Sequence, residues 1–142
     1  LFNIANENIK DIESNEVKHT PMGKPFDNNL RSVLVDSCQE LGFNFHDGGT
    51  VITIEGPRFS TKAESFLFRS WNADIINMST CPEIILANEL ELKYQSIAMS
   101  TDYDCWHDAE EDVTMDMIYD VMKKNVINVK KLINTFHFNF FK

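Results

Sequence analysis

The sequence predicts an α/β fold with a largely parallel sheet, and two observations lead to this prediction. Between residues 50 and 101, short apolar runs alternate with amphipathic helical stretches in the order β-α-β-α-β. This order favours parallel strands joined by right-handed crossovers. A length of 142 residues with 43% hydrophobic content is also enough for one folded domain with its own core.

The first predicted helix follows an irregular lead-in. Residues 1–18 are rich in Asn, Glu and Lys, so we expect little structure before the domain begins at residue 19 and continues to residue 142. Asp27 or Asn28 can cap a helix that ends before Gly42. Its predicted inward face consists of Leu30, Val33, Leu34, Cys38 and Leu41.

The next segment has the pattern of a β-hairpin. Residues 43–46 and 50–54 are strand-like, and Asp47, Gly48 and Gly49 between them form a turn signal. We therefore expect these two runs to pair with each other.

Two further helices are predicted by capping-box spacing, in which a Ser or Thr is followed three residues later by Glu. Thr61 and Glu64 begin the first, and Thr80 and Glu83 begin the second, which carries Pro82 in its first turn and runs to about residue 90. Apolar side chains at helical spacing predict the inward face of the first helix: Ala63, Phe66, Leu67 and Trp71.

Apolar runs at residues 73–76 and 94–101 predict the remaining strands of the sheet. A last helix has Thr114 as its cap, Asp116 near its start and Lys130 near its end, charges that the helix dipole favours. Its predicted inward side chains are Ile118, Val121, Met122, Val129, Leu132 and Ile133.

Charge and cysteine content exclude several classes of function. A net charge of -9 argues against binding along a nucleic-acid backbone, which requires clustered Lys and Arg. Three widely spaced cysteines form neither a disulfide framework nor a zinc-binding pair, and the four histidines show no metal-ligand spacing. With no apparent signal peptide or membrane span, we expect no membrane partner and a cytoplasmic protein, with the nucleus as a second location.

Functional side chains follow three of the predicted strands at the point where each strand ends. We call residues 55–60, 77–80 and 101–104 the tip segments, because parallel strands would bring them to one edge of the sheet. They offer an aromatic ring, a thioether, hydroxyls at a helix start and two carboxylates. This set suits an aromatic, polar and partly anionic ligand.

Each candidate residue also has a structural interpretation. Phe59 and Met78 could fill the core, and Asp102 and Asp104 could cap or fold the acidic loop that follows them. Ser79 could cap the next helix, although free amides at a helix start also bind anions, so the two roles are compatible.

Four ordered blocks of the sequence resemble the methylthioadenosine phosphorylase family. They are HTPMGKPF at residues 19–26, GTVITIEGPRFSTKAESF at 49–66, ADIINMSTCPE at 73–83 and SIAMSTDYDCW at 96–106. The resemblance covers residues 19–133, about the carboxyl-terminal half of the family's subunit. It implies part of a three-layer α/β/α fold of the phosphorylase/hydrolase type, with a mixed, largely parallel sheet, in a homotrimer.

The resemblance also implies a reaction. The family cleaves 5'-methylthioadenosine with inorganic phosphate as co-substrate, giving adenine and 5-methylthioribose 1-phosphate, and uses no metal or other cofactor. By position, Asp102 would assist the leaving base at N7 as a general acid. Asp104 would accept a hydrogen bond from the 6-amino group, which selects adenine over a 6-oxopurine.

Other contacts with the nucleoside and phosphate follow from the same resemblance. Phe59 would pack on the base, Met78 would lie under the ribose, and Ser79 would offer its hydroxyl to phosphate. His19 would reach into a neighbouring subunit's site near the 5'-alkylthio group, and Met115 stands where the family usually has a smaller Val. The remaining matched substrate-binding positions are Ser60, Asn77, Thr101 and Val113.

Three functions therefore remain open. The first is phosphorolysis of 5'-methylthioadenosine by an enzyme of which this chain is a part. The second is a non-catalytic relative that binds adenine nucleosides or a partner subunit, because the family's Gly-rich phosphate loop and Arg-His segment have no counterpart in this sequence. The third is a 6-oxopurine nucleoside phosphorylase, which the carboxylate of Asp104 disfavours.

Overall fold

The computed structural model describes residues 19–107 and 114–141, which contain four helices and two strands. The predicted lead-in, residues 1–18, lies outside the described residues. No helix in the described ranges is long and apolar enough to cross a membrane. In chain order the elements are α1 (Asn28–Glu40), β1 (Val51–Thr53), α2 (Lys62–Ser70), β2 (Ile75–Asn77), α3 (Thr80–Glu89) and α4 (Met115–Phe140).

The two strands form a parallel pair, as the sequence predicts. Val51 lies opposite Ile75 and Thr53 lies opposite Asn77, with α2 as the crossover between the strands. A hydrogen bond from the Ile54 N–H to the Asn77 carbonyl, at 2.9 Å, extends the pairing beyond β1. The carboxyl ends of both strands therefore lie side by side.

The predicted hairpin over residues 43–54 is wrong. Among the described residues, those from 43 to 50 form no strand, and β1 pairs with β2 instead. Side chains hold the intervening loop: Arg31 of α1 donates to the Asp47 carboxylate at 2.7 Å, and the Asp74 carboxylate accepts from a backbone N–H of the loop at 2.7 Å. These long-range contacts replace a strand partner, and turn chemistry alone does not reveal them.

The first helix, α1, forms as predicted and packs against α4. The Asp27 carboxylate accepts from the Leu30 N–H at 2.8 Å, and Gly42, with a φ of 64°, follows the end of the helix. Cys38 on the predicted inward face is buried. Asn139 of α4 donates to the Ser37 hydroxyl at 3.2 Å, which joins the two helices.

The last helix, α4, begins at the predicted cap but extends past its predicted end. The Thr114 hydroxyl accepts from the Met117 N–H at 3.4 Å, and the helix continues past Lys130 to Phe140. Ile133, predicted to point inward, is 50% exposed. The other predicted inward residues, Ile118, Val121, Met122, Val129 and Leu132, are buried or half-buried. The covered side of α4 continues through Thr135, Phe136 and Asn139, and Ile133 lies off it.

The predicted inward face of α2 is exposed. Its capping box is present, because the Thr61 hydroxyl and the Glu64 N–H are bonded and the Glu64 carboxylate accepts from the Thr61 N–H. Trp71, however, is 59% exposed, and the buried side chain of this helix is Ser65. The spacing of apolar residues predicts which side of a helix is apolar, but not whether another element covers that side. The other exposed members of that face are Ala63, Phe66 and Leu67.

The third helix, α3, has a different cap from the predicted one. Ser79 rather than Thr80 is the N-cap, and the Ser79 hydroxyl makes no capping hydrogen bond. Thr80 is buried, where its hydroxyl accepts from the Asn77 amide. Pro82 lies in the first turn and Leu90 caps the carboxyl end, as predicted.

The predicted strand over residues 94–101 is not a strand in the described structure. Its Tyr94 carbonyl accepts from the Asp27 N–H at 2.8 Å, and its Ser100 carbonyl accepts from the Asn125 side chain at 3.2 Å. A strand requires a neighbouring strand for its ladder, and β1 and β2 pair only with each other. An apolar run alone therefore did not determine this element.

Few apolar side chains of the described residues are fully buried. Cys38, Ile84 and Leu132 are buried, whereas large hydrophobic side chains of α2, α4 and the tip segments are exposed. Burial of apolar surface is the main favourable term in folding. We therefore expect further protein to cover these faces in the functional assembly.

Candidate functional site

The three tip segments converge at the carboxyl ends of β1 and β2. A side chain built on Gly56 would place its Cβ 2.9 Å from the Met78 sulfur, so the first two segments touch. Cys105, the residue directly after the third segment, donates from its thiol to the Ser60 carbonyl at 3.4 Å, which brings the end of the third segment to the first. The predicted meeting of these segments is thus present, although the third does not follow an observed strand.

Asp104 has a buried oxygen that lacks a hydrogen-bond donor. Its Oδ2 is buried and has no partner among the described residues, while its backbone carbonyl accepts from the His107 N–H at 3.0 Å. A buried acceptor without a donor costs roughly 1–3 kcal/mol, and more when it is charged. This carboxylate is therefore suited to a ligand that brings an N–H or O–H group.

Asp102 stands on the exposed side of the same segment. Its carboxylate accepts from the Thr101 hydroxyl, and both Asp102 and Tyr103 are exposed. The two carboxylates thus differ in environment, since Asp102 is open to an arriving molecule and Asp104 is half-buried.

A hydrogen-bond network occupies the Asn77 side chain. Its oxygen accepts from the Thr53 hydroxyl at 2.9 Å and from the Thr80 N–H at 3.4 Å, and its nitrogen donates to the Thr80 hydroxyl. These bonds hold the turn between β2 and α3. Asn77 therefore has a structural role that sequence reasoning did not assign to it.

The start of α3 offers no free amide to an anion in the described structure. The Thr80 N–H donates to Asn77, the Cys81 N–H donates to the Thr53 hydroxyl at 3.2 Å, and the Glu83 N–H donates to the Ser79 carbonyl at 3.3 Å. The remaining residue of this turn is a proline, which has no N–H. The amides at this helix start are therefore bonded within the chain, and the Ser79 hydroxyl is the group that this turn can offer to an anion.

Phe59 is not a core residue, because its side chain is 66% exposed. Its loop is fixed by Arg58, which donates to both carboxylate oxygens of Glu64 at 2.7 Å and to the Phe59 carbonyl at 3.1 Å. The Arg58 side chain, followed by the Thr61 amide and hydroxyl, lowers the pKa of Glu64 to about 2. This ion pair therefore connects the aromatic tip to the capping box of α2.

We predict a pH dependence for this connection. The pKa of Glu64 lies below its ordinary value of 4.5, so its contribution to stability is present above about pH 4.5 and is lost as the pH falls to about 2. An NMR titration of Glu64 should show a midpoint near 2. Arg58→Gln should raise this midpoint, whereas Arg31→Gln, which breaks a separate pair with Asp47, should not. An unshifted midpoint in Arg58→Gln would contradict the assignment.

The other candidate residues lie at the edges of the described ranges. His19 is exposed at the start of the first range, and Met115, the first residue of α4, is 54% exposed. Val113 lies outside the described residues. The contacts of these three residues with a nucleoside therefore stay predictions from the resemblance.

A separate depression of about 320 Å³ is lined by residues outside the tip segments, among them Phe26, Asp27, Asn88 and Tyr94. The side chain of Tyr94 joins this depression to the start of α3, because its hydroxyl donates to the Glu83 carboxylate at 2.8 Å. Within the described ranges, no group of three His, Cys, Asp or Glu side chains is placed to hold a metal ion.

Four residues that shape the tips were missed from the sequence. Gly56 admits the Met78 thioether, Cys105 contacts the Ser60 carbonyl, and the Trp106 N–H donates to the Ser65 hydroxyl at 3.1 Å. For Ser65 the sequence carries only a weak signal, which is a polar residue on the side of a helix that the fold covers. The other contacts depend on tertiary packing and have no local signature.

Comparison with known proteins places these elements in a family. The family model of the phosphorylase superfamily matches residues 3–137. The chain belongs to the phosphorylase superfamily. The predicted fold class is confirmed, and the described helices and parallel strand pair form part of that superfamily's fold.

Two relatives that are similar to this chain over most of its length share one name. The chain is 50% identical over 119 residues to S-methyl-5'-thioadenosine phosphorylase from Danio rerio, covering 84% of the chain and 42% of the relative. It is 52% identical over 117 residues to the enzyme of that name from Anopheles gambiae, covering 82% of the chain and 42% of the relative. The predicted resemblance is thus confirmed, and the chain spans about two fifths of the length of these relatives.

Solved structures agree with the sequence comparison. Methylthioadenosine phosphorylase from Schistosoma mansoni in complex with adenine is similar with a TM-score of 0.78 and 36% identity, covering 84% of the chain and 48% of that structure. A mutant adenosine/methylthioadenosine phosphorylase from the same organism, in complex with methylthioadenosine, has a TM-score of 0.76 and 34% identity, covering 84% and 46%. The superfamily's fold thus extends well beyond the residues of this chain.

Proposed function

We propose that this chain carries the base- and ribose-binding part of a 5'-methylthioadenosine phosphorylase. The reaction would convert 5'-methylthioadenosine and inorganic phosphate into adenine and 5-methylthioribose 1-phosphate. The observation that supports this proposal most directly is the buried Oδ2 of Asp104, which lacks a donor beside the exposed Asp102. The names of the similar proteins point to the same substrate.

Asp104 would bind the exocyclic amino group of adenine. An amino group donates hydrogen bonds, so it satisfies the oxygen that is otherwise buried without a donor. A 6-oxopurine presents a carbonyl oxygen there, which would place a lone pair against the carboxylate. This difference supports an adenine nucleoside over the alternative of a 6-oxopurine.

Asp102 would assist the departure of adenine. The C–N bond to the ribose breaks as phosphate attacks, and a proton shared with N7 stabilises the negative charge that develops on the base. The carboxyl of Asp102 would carry that proton to N7; it is open to an arriving base and accepts a hydrogen bond from the Thr101 hydroxyl. Thr101 thus acts through Asp102 as well as lining the site.

The other tip residues would hold the nucleoside. The exposed ring of Phe59 would stack on adenine, with Ser60 beside it, and Met78 would lie against the ribose while Gly56 keeps its sulfur close to the β1 tip. Asn77 would hold this surface in place through its bonds to the start of α3.

The 5'-alkylthio group would lie beyond the tip segments. Val113 and Met115 would shape its pocket, and His19 would reach it from a neighbouring subunit of a homotrimer. The oligomer is part of the proposal because His19 contributes to a site only in an assembly. We propose no metal or organic cofactor, and the cytoplasmic and nuclear location stays a prediction.

Phosphate would need cationic groups, and the cation of the tip segments, Arg58, is already paired with Glu64 at 2.7 Å. Ser79 offers a hydroxyl, whereas the first amides of α3 are already bonded. We propose that residues corresponding to the remaining length of the relatives provide the cationic phosphate contacts. These residues would also cover exposed apolar faces such as that of Trp71.

A non-catalytic function is the second candidate. It is favoured by the bonded amides at the start of α3, because they leave phosphate few partners among the described tip residues. In this case the chain would bind adenine nucleosides or a partner subunit without phosphorolysis.

Two measurements distinguish these functions. Calorimetry on the purified chain should show tighter binding of adenine than of hypoxanthine. Phosphate-dependent release of adenine from 5'-methylthioadenosine should then appear when the amino-terminal part of the Danio rerio relative is supplied. Adenine binding without release in that mixture would favour the non-catalytic function, and a preference for hypoxanthine would favour the 6-oxopurine enzyme. An absence of binding to either base would contradict the proposal.

Met115 should limit the size of the 5'-substituent. A methionine fills more of the alkylthio pocket than the smaller Val usual in the family, so the assembled enzyme should turn over 5'-butylthioadenosine less well than 5'-methylthioadenosine. Met115→Val should improve the ratio of the two kcat/KM values by about tenfold. Equal turnover of the two substrates by the unmodified protein would refute this role. Met117→Val, on the same exposed start of α4, is the matched control.

A further inference from the structure

Trp106 connects the tip carboxylates to α2. It lies two residues after Asp104, inside the turn that the His107 N–H closes by donating to the Asp104 carbonyl at 3.0 Å. The Trp106 N–H donates to the Ser65 hydroxyl at 3.1 Å. Since this bond is made within the turn that begins at Asp104, movement of Trp106 would also move Asp104.

Ser65 is buried for a reason that α2 alone does not explain. Ser65 is 1% exposed, whereas Phe66 and Leu67 beside it are 49% and 46% exposed. A buried hydroxyl is costly unless it is hydrogen-bonded, and Trp106 supplies the bond from outside the helix. The covered face of α2 is therefore directed at the turn after Asp104.

A second contact holds the ring of the same tryptophan. The Arg69 guanidinium carbon lies 4.0 Å from the centre of the Trp106 ring, an arrangement typical of a cation–π interaction. Ser65 and Arg69 are four residues apart and so lie on one face of α2. One helix face thus binds both the backbone and the ring of Trp106.

From these contacts we propose that Ser65 and Arg69 are positioning residues for the adenine-binding carboxylates, acting through Trp106. They touch no substrate and set the place of Asp104 and, through the same segment, of Asp102. The adenine part of this inference rests on the proposed function, whereas the positioning of Asp104 does not.

The test uses the full chain with four variants. Ser65→Ala removes the backbone contact, Arg69→Gln removes the cation, and Arg69→Lys restores it. Ser70→Ala is the matched control, because the Ser70 hydroxyl is on the same helix and donates only to the Leu67 carbonyl. The readouts are the hydrogen exchange of the Trp106 amide, the carboxyl carbon resonance of Asp104, and the affinities for adenine and hypoxanthine by calorimetry.

The expected result is specific to these contacts. Ser65→Ala and Arg69→Gln should speed exchange of the Trp106 amide, shift the Asp104 resonance and weaken adenine binding about tenfold, with a smaller loss for hypoxanthine. Arg69→Lys should recover most of the affinity, and Ser70→Ala should match the unmodified chain. If Ser65→Ala does not fold, the comparison of Arg69→Gln with Arg69→Lys decides the question.

Other outcomes would overturn the inference. Unchanged exchange and an unchanged Asp104 resonance in both variants would show that α2 does not position the turn. Faster exchange with undiminished adenine affinity would show a merely structural contact. If the unmodified chain binds no adenine, the proposed function fails, and the Asp104 resonance alone decides the positioning.

Discussion

Replacing Asp102 with asparagine should lower phosphate-dependent adenine release by roughly 10²–10⁴-fold, the usual contribution of general acid catalysis. The asparagine amide can donate a hydrogen bond to N7 but cannot transfer a proton to it as a carboxylic acid can, so adenine would be a poorer leaving group. The assay would use this chain assembled with the amino-terminal part of the Danio rerio relative. Because the change acts on the departing base, kcat should fall more than the affinity for substrate.

A second acidic residue provides the control for that change. Asp120 is an exposed carboxylate on α4, paired with Lys123 at 3.0 Å and remote in sequence from the tip segments. Asp120→Asn should leave adenine release unchanged. If Asp102→Asn retained the full rate, Asp102 would lose its catalytic role and the reaction would need another acid.

Replacing Asp104 with asparagine should reverse the preference for the base. The asparagine amide can turn its NH₂ group toward a 6-oxo oxygen, so the carbonyl of hypoxanthine gains a hydrogen-bond donor. The 6-amino group of adenine loses its negatively charged acceptor. A mismatched buried polar contact costs roughly 1–3 kcal/mol, so the ratio of the two binding constants should change by about 10²-fold. Calorimetry with adenine and hypoxanthine measures this ratio directly.

The comparison with Asp102 separates selectivity from catalysis. Asp102→Asn should change the rate with little effect on the ratio of adenine to hypoxanthine affinity, whereas Asp104→Asn should change the ratio. An unaltered preference in Asp104→Asn would leave its buried oxygen without the proposed ligand role.

Local chemistry in the sequence was sufficient for three of the four helix starts in the described residues, the exception being α3. Asp27, one of two predicted candidates, caps α1, while Thr61 and Glu64 form the predicted capping box and Thr114 is the predicted cap of α4. These bonds join residues three apart in the chain, so they depend little on the rest of the fold. The parallel pairing of β1 with β2 was also predictable, because a single crossover helix separates them.

Elements that depend on distant partners were the ones that sequence patterns missed. Residues 94–101 are apolar yet form no strand in the described structure, because a ladder requires a neighbour that neither β1 nor β2 provides. Arg31 and Asp74 hold the loop before β1. Each of them is far in sequence from the loop residue that it contacts. The spacing of apolar residues correctly identified one side of α2 as apolar, but that side is exposed and not buried as predicted.

For the site, the sequence was enough to identify the family and to name the carboxylates Asp102 and Asp104, since the matching blocks are defined by the order of residues along the chain and not by their packing. Only the tertiary structure showed that the two carboxylates differ in burial. It also showed that the amides at the start of α3 are already bonded, and that Ser65 and Arg69 contact Trp106. Burial and hydrogen-bond partners are set by residues that meet after the chain folds. A residue's type indicates which chemistry it can perform, and its neighbours in the fold decide whether that chemistry is free to act.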